Sequence, residues 1–161
     1  MDYLDEDILN LWRLLHKNQT KYIMVGGFAC SLHGFNRMTE DIDIWIKDDV
    51  ENRKRLRKAL HELGLGDFES IETTEFVPGY TSISLGSGFE LDIMSYLTGL
   101  KQIEFDECYQ ISPTALIEEI PVKFLHINQL IEAKKASARP KDLLDVEELE
   151  KIRKMQSSKG R

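Results

Sequence analysis

Apolar residues near the start of the chain recur at helical spacing. Leu4, Ile8, Leu11, Trp12 and Leu15 fall on one face, which predicts an amphipathic helix from about residue 3 to 17. A short apolar run, Tyr22 to Val25, then reads as a strand ending at Gly26-Gly27, and Phe28 to Phe35 fits a second helix whose exit is marked by Gly34 and Asn36. From Asp41 to Ile46 the period changes to two. Ile42, Ile44 and Ile46 share one face and Asp41, Asp43 and Trp45 the other, the pattern of a half-buried strand. Residues 49 to 63 predict a long helix stopped at Gly64, which suits a left-handed exit turn.

Further along, Thr81 to Leu85 and Phe89 to Ser95 read as two strands joined by Gly86-Ser87-Gly88, with Asp92 facing away from Leu91 and Ile93. Val122 to Leu125 reads as a last strand. Ile127 to Ala138 and Pro140 to Lys154 read as two closing helices, with Pro140 in a first turn where its missing N–H leaves no bond unmade. Residues 156–161 are expected to fray. The order of elements predicts an α/β fold, one mixed β-sheet flanked by α-helices with a helical C-terminus, in a single domain over residues 1–155.

Composition narrows the functional classes. The 161 residues are 42% hydrophobic and 30% charged, an ordinary globular balance, and the net charge of −7 excludes a surface that attracts nucleic acid through its overall field. Local basic clusters remain. Arg53, Lys54, Arg55, Arg57 and Lys58 read as a solvated helix face, because Leu56, Leu60 and Leu63 already account for the helix. Cys30 and Cys108 are too few for a disulfide framework, and with the histidines they show no zinc spacing. His33, His61 and His126 read as structural or exposed. The acidic opening and the absence of a membrane-length apolar run point to a cytoplasmic protein with no membrane partner.

The chemistry begins with Asp41 and Asp43, whose i, i+2 spacing on a strand aims both carboxylates from one face. Close carboxylates repel, and a divalent cation removes that penalty. Asp92, on a later strand, supplies a third oxygen donor, and hard oxygen ligands favour Mg2+ or Mn2+ over zinc. Two such ions can activate an attacking oxygen and stabilise a leaving one. Gly26 and Gly27 would place backbone N–H groups and a helix N-terminus against a triphosphate. Each feature has a plainer reading: a Gly-Gly strand-to-helix turn is commonly structural, and Asp-x-Asp can be an exposed strand face. Arg37, Thr39 and Glu40, just ahead of the pair, could orient substrate or simply lead into the strand.

Val25-Gly26-Gly27, Arg37-Met-Thr-Glu-Asp-Ile-Asp-Ile44 and Glu90-Leu-Asp-Ile93 together resemble the DNA polymerase beta-like nucleotidyltransferase superfamily. The likeness is greatest to its small bacterial branch of abortive-infection nucleotidyltransferase toxins and minimal nucleotidyltransferases, and the segment from Leu130 to Asp145 extends it over nearly the whole chain. The resemblance implies a metal-dependent, NTP-using enzyme in which Asp41, Asp43 and Asp92 are catalytic and bind metal, and Gly26, Gly27 and Lys134 bind the nucleotide. It implies an acceptor such as a tRNA, a protein side chain or a small hydroxylated molecule. A toxin-antitoxin or phage-defence setting with a cognate antitoxin also follows from it. The family's glycine motif usually reads Gly-Ser, so Gly27 replaces a hydroxyl by backbone alone. The rival from another class is an inactive nucleotide-binding or partner-binding module of the same fold.

Two readings stand for Lys134. Its spacing from Ile127, Leu130 and Ile131 puts it on the apolar face of its helix, where a lysine must snorkel or find an anion. That anion is a phosphate by the family resemblance. It is a neighbouring carboxylate if Lys134, Arg139, Asp142 and Asp145 form an inward salt-bridge group. Lys135 is the alternative phosphate contact if the register shifts by one.

Overall fold

The computed structural model describes residues 5–36, 39, 41–86, 88–100 and 104–159. Helix α1 (Glu6–Lys17) is capped by Asp5, whose side chain accepts hydrogen bonds from the Asp7 and Ile8 amides. It buries Ile8, Leu11, Trp12 and Leu15, the stripe that its spacing predicts. The chain then forms β1 (Tyr22–Val25), α2 (Gly26–Leu32), β2 (Asp41–Ile46), α3 (Val50–Glu62), β3 (Ser82–Ser84) and β4 (Glu90–Met94). The four strands make one mixed sheet in the order β1-β2-β4-β3, with β2 and β4 parallel and the other two pairings antiparallel. Ile42, Ile44 and Ile46 are fully buried between this sheet and its helices.

One end of the central strands is locked by a buried side chain. Asn52 accepts from the Lys21 amide and donates to the carbonyls of Lys21 and Lys47, so it joins the start of β1, the end of β2 and the first turn of α3. The basic face of α3 serves the fold as well. Arg57 pairs with Asp67 and Glu72, while Arg53 pairs with Asp48, donates to the Ile71 and Thr74 carbonyls and lies 4.6 Å from the Phe76 ring centre. Gly64 ends the helix in a left-handed conformation, φ +89°, as expected.

The second half departs further from the sequence pattern. Helix α4 (Phe105–Ile111) and strand β5 (Thr114–Ile117) were not anticipated, and β6 starts at Ile120 and ends at Lys123. Strands β5 and β6 pair antiparallel as a hairpin, which meets the main sheet through a parallel bridge between Met24 and Phe124. Helix α2 begins at Gly26 rather than Phe28. Helices α5 (Ile127–Ser137) and α6 (Pro140–Lys159) close the fold. Helix α6 runs to Lys159, past the Lys154 end that the sequence pattern gives it. Good helix formers continue through Lys154, Met155 and Gln156, and no glycine intervenes before Gly160. The hairpin position Ser87, the candidates Arg37 and Glu40, and the first residues of the predicted opening helix lie outside the described residues. Among the described residues no helix is long and apolar enough to cross a membrane.

Candidate active site

The parallel pairing of β2 with β4 brings the predicted carboxylates together. In its register Asp43 is the Cα partner of Asp92, and Asp41 is the partner of Glu90. Asp41 and Asp43 therefore share a sheet face with Glu90 and Asp92, two strands each contributing alternate residues. Asp41 is exposed, Asp43 half-buried and Asp92 buried. On the same face, Trp45 is buried and packs edge-on against Phe105 with ring centres 5.3 Å apart, so the wet part of the face is confined to the end of the strands nearest β1's exit.

Gly26 sits where β1 turns into α2. Its φ of +69° is left-handed, and a Cβ there would lie 2.0 Å from the Asp43 Oδ2 atom. The missing side chain thus makes room for a carboxylate, a requirement that the glycine motif alone does not reveal. Gly27 is buried in the first turn of α2.

Asp92 is held from the other side by a turn. Val77-Pro78-Gly79-Tyr80 closes with the Tyr80 amide donating to the Val77 carbonyl at 3.1 Å, and Gly79 has φ +81°, the sequence and φ signature of a type II turn. The Gly79 N–H donates to Asp92 Oδ2 at 2.9 Å. Asp92 Oδ1 is buried with no hydrogen-bond partner among the described residues. Sequence reasoning missed Gly79 and did not include Glu90 among the site residues. Pro-Gly signals a turn, but its bond to a carboxylate 13 residues later has no sequence signature.

Burial and the like charges of Asp92 and Asp41 push the Asp43 carboxyl up to about 7, against the weaker pull of Lys134 and Lys141. Asp92 is also raised, by burial first and by Asp41 and Glu90, while its bond from Gly79 opposes the rise. Among the described residues, burial and repulsion outweigh the compensation that Asp43 and Asp92 receive.

Opposite them stands the junction of α5 and α6. Lys134 is 8% exposed, and its Nζ donates to Asp145 Oδ2 at 2.8 Å and to Asp142 Oδ1 at 3.4 Å. Arg139 donates through Nε to Asp142 Oδ2 at 2.7 Å. The inward salt-bridge group is thus formed. Lys135 is exposed and pairs with Glu150 at 3.1 Å.

A cleft of about 470 Å³ separates the two walls, lined by Gly26, Gly27, Asp41, Asp43 and Asp92 as well as Lys134, Arg139 and Lys141. All six predicted site residues therefore face one cavity. The donor set is entirely hard oxygen, and the partnerless Asp92 Oδ1 is a buried acceptor in want of a cation or proton, so the residues fit a divalent ion. Among the described residues no three His, Cys, Asp or Glu side chains form a ready metal-holding group. The histidines lie elsewhere in role: His33 contacts the Leu125 carbonyl and stacks edge-on with Phe124, and His126 caps α5.

Residues 2–158 match the family described as "Nucleotidyltransferase of unknown function (DUF6036)". The solution structure of the antibiotic-resistance factor ANT(2'')-Ia is similar at a TM-score of 0.59 and 20% identity, covering 95% of this chain and 90% of that one. A crystal structure of ANT(2")-Ia with adenylyl-2"-tobramycin gives 0.57 and 21%, covering 96% and 97%. An antigenic nucleotidyltransferase-like protein from Paracoccidioides brasiliensis gives 0.56 and 20%, covering 91% and 72%. At these identities the structures speak for the fold. A comparison with curated proteins finds no match.

Proposed function

The chain belongs to this nucleotidyltransferase family, and from that premise we propose that it transfers a nucleoside monophosphate from an NTP to an acceptor hydroxyl, releasing pyrophosphate, in the cleft between the sheet and the α5–α6 junction. The observation that carries the proposal is the pairing of Asp43 with Asp92 across parallel strands, with Asp41 in the same cleft. Such a group is electrostatically unfavourable alone and favourable around a cation.

Asp41, Asp43 and Asp92 would hold Mg2+ or Mn2+. When bound, the ion would neutralise phosphate charge and lower the pKa of the acceptor hydroxyl. Magnesium is commonly held by one or two carboxylates, with substrate phosphate and water filling the remaining positions. Gly26 and Gly27 would let the nucleotide approach the β1–α2 turn closely, with Lys134 on the opposite side of the cleft.

Asp92 is the base in this reading. With Oδ2 fixed by the Gly79 amide, Oδ1 is left to take the acceptor's proton as the hydroxyl oxygen attacks the α-phosphorus. The P–O bond to pyrophosphate breaks in the same displacement. The tobramycin adduct in the ANT(2")-Ia crystal structure makes a small hydroxylated molecule the first acceptor class to try, ahead of a tRNA or a protein side chain.

The test is incubation with each α-labelled NTP, magnesium or manganese, and a fractionated lysate, followed by identification of the labelled species. Asp41→Asn/Asp43→Asn is expected to abolish labelling. Undiminished labelling in that double variant would refute the metal site.

A further inference from the structure

The wall facing the carboxylates contains three cations whose surroundings differ. Lys134 is buried and already shared between Asp142 and Asp145. With Arg139 paired to Asp142, the group of two cations and two carboxylates sums to zero charge. Buried between two carboxylates, Lys134 offers little net attraction to a triphosphate, which must also approach Asp41, Asp43 and Asp92. Withdrawing the Lys134 ammonium toward phosphate would leave two buried carboxylates short of a partner, a costly exchange.

Arg139 and Lys141 are placed otherwise. The Arg139 side chain is 62% exposed and lines the cleft, and its bonds to Asp142 use Nε and one terminal nitrogen, leaving donors over. Lys141 is exposed, lines the same cleft and has no ion pair among the described residues. Both feel the Asp43 carboxylate electrostatically across the cavity. The chain between α5 and α6 is only Ala138-Arg139, with Ala138 left-handed at φ +53° and its N–H donating to the Lys134 carbonyl at 3.1 Å. The buried Lys134–Asp145 pair ties the two helices across this turn.

Resting on the nucleotidyltransferase reading, we propose that Arg139 and Lys141 form the subsite for the triphosphate tail of the NTP, and that Lys134 is the buried strut fixing the turn that presents them. A guanidinium offers paired donors to phosphate oxygens and an ammonium a mobile point charge, so the two together suit a tail whose charge shifts as pyrophosphate leaves. This assignment moves the phosphate contact from the lysine singled out by the family resemblance to Arg139 in the turn beyond it and Lys141 at the start of α6.

Inorganic tripolyphosphate, titrated calorimetrically into the full chain in magnesium, isolates the subsite from base and acceptor. Arg139→Ala and Lys141→Ala are each expected to weaken binding about tenfold, the loss of a charge-assisted contact. Lys141→Arg should restore most of it. Lys135→Ala removes the same charge outside the cleft and should leave the affinity as it was, separating a local contact from a change in net charge. An Arg139→Ala/Lys141→Ala double variant that binds like wild type overturns the subsite while the transfer reading stands. A wild-type chain that binds neither tripolyphosphate nor NTP overturns both. Binding that depends on these two residues in a protein that transfers no nucleotide to any acceptor supports the subsite and removes the transfer reading.

Discussion

On one side of the cleft Asp41, Asp43 and Asp92 share a sign, and Asp41 raises the proton affinity of the other two; on the other, Lys134 is satisfied by Asp142 and Asp145. Both groups are partly buried, so burial alone does not distinguish them. The difference lies in whether the charge is compensated among the described residues. Charges compensated by neighbours hold helices in place, whereas charges left uncompensated mark where a ligand must complete the structure.

The comparison breaks most visibly if the paired side is cut. Lys134→Met leaves Asp145 without its short ion pair and should lower the unfolding free energy by about 3–5 kcal/mol, read by urea denaturation. A loss under about 1 kcal/mol would mean that water or rearrangement replaces the lysine, and that the strut is no strut.

Crowding the carboxylate side should have a smaller effect on stability. Gly26→Ala forces a side chain into a left-handed position, at about 1–2 kcal/mol, and drives its Cβ into the space held by Asp43 Oδ2. The expected result is a lowered melting temperature together with nucleotide transfer reduced well beyond what the residual folded fraction explains. Unaltered transfer would show that Asp43 works from another rotamer.

The mildest change reverses the sign. Because the folded-state pKa of Asp43 lies above its ordinary value, the folded chain binds the extra proton between about pH 4 and 7, and the stability present below that window is lost as pH rises through it. Asp43→Asn removes the charge and should stabilise the metal-free protein at pH 8 by roughly 1–2 kcal/mol while flattening this pH dependence. A destabilised variant would indicate that the Asp43 charge is already compensated. Stability gained where transfer is lost would be the trade expected of a functional site.

The front half of the molecule was legible because its patterns are local. Period two over Asp41–Ile46 returned the strand with its ends intact, Tyr22–Val25 did the same, and Gly64 ended α3. The β5–β6 hairpin was hidden by its turn: Glu118 and Glu119 both have positive φ, 48° and 69°, the φ signature of a type I′ turn that is ordinarily announced by Asn or Gly. Helix α4 is seven residues long and buries only Cys108 fully, too short to show a helical stripe. Within the site, the carboxylates and Gly26 were readable as residue types, and the inward face of Lys134 was readable from its spacing. What it touches was not, since a lysine on an apolar face can be answered equally by phosphate or carboxylate. Only the distances to Asp142 and Asp145 decide what holds it in this state. The Gly79 bond to Asp92 depends on a turn and a strand meeting in space, which no local pattern encodes.

The parallel register that sets Asp43 beside Asp92 also fixes when the protein becomes competent during its own synthesis. Of the site's residues, 41–43 leave the ribosome before Asp92, which follows some fifty positions later, and the α5–α6 junction comes roughly another fifty after that. At about 5–20 residues per second, seconds separate the first carboxylate from the last cation. Throughout that interval the nascent chain carries its acidic residues apart from the strand and helices that gather them, so it has the composition of the site and none of its chemistry.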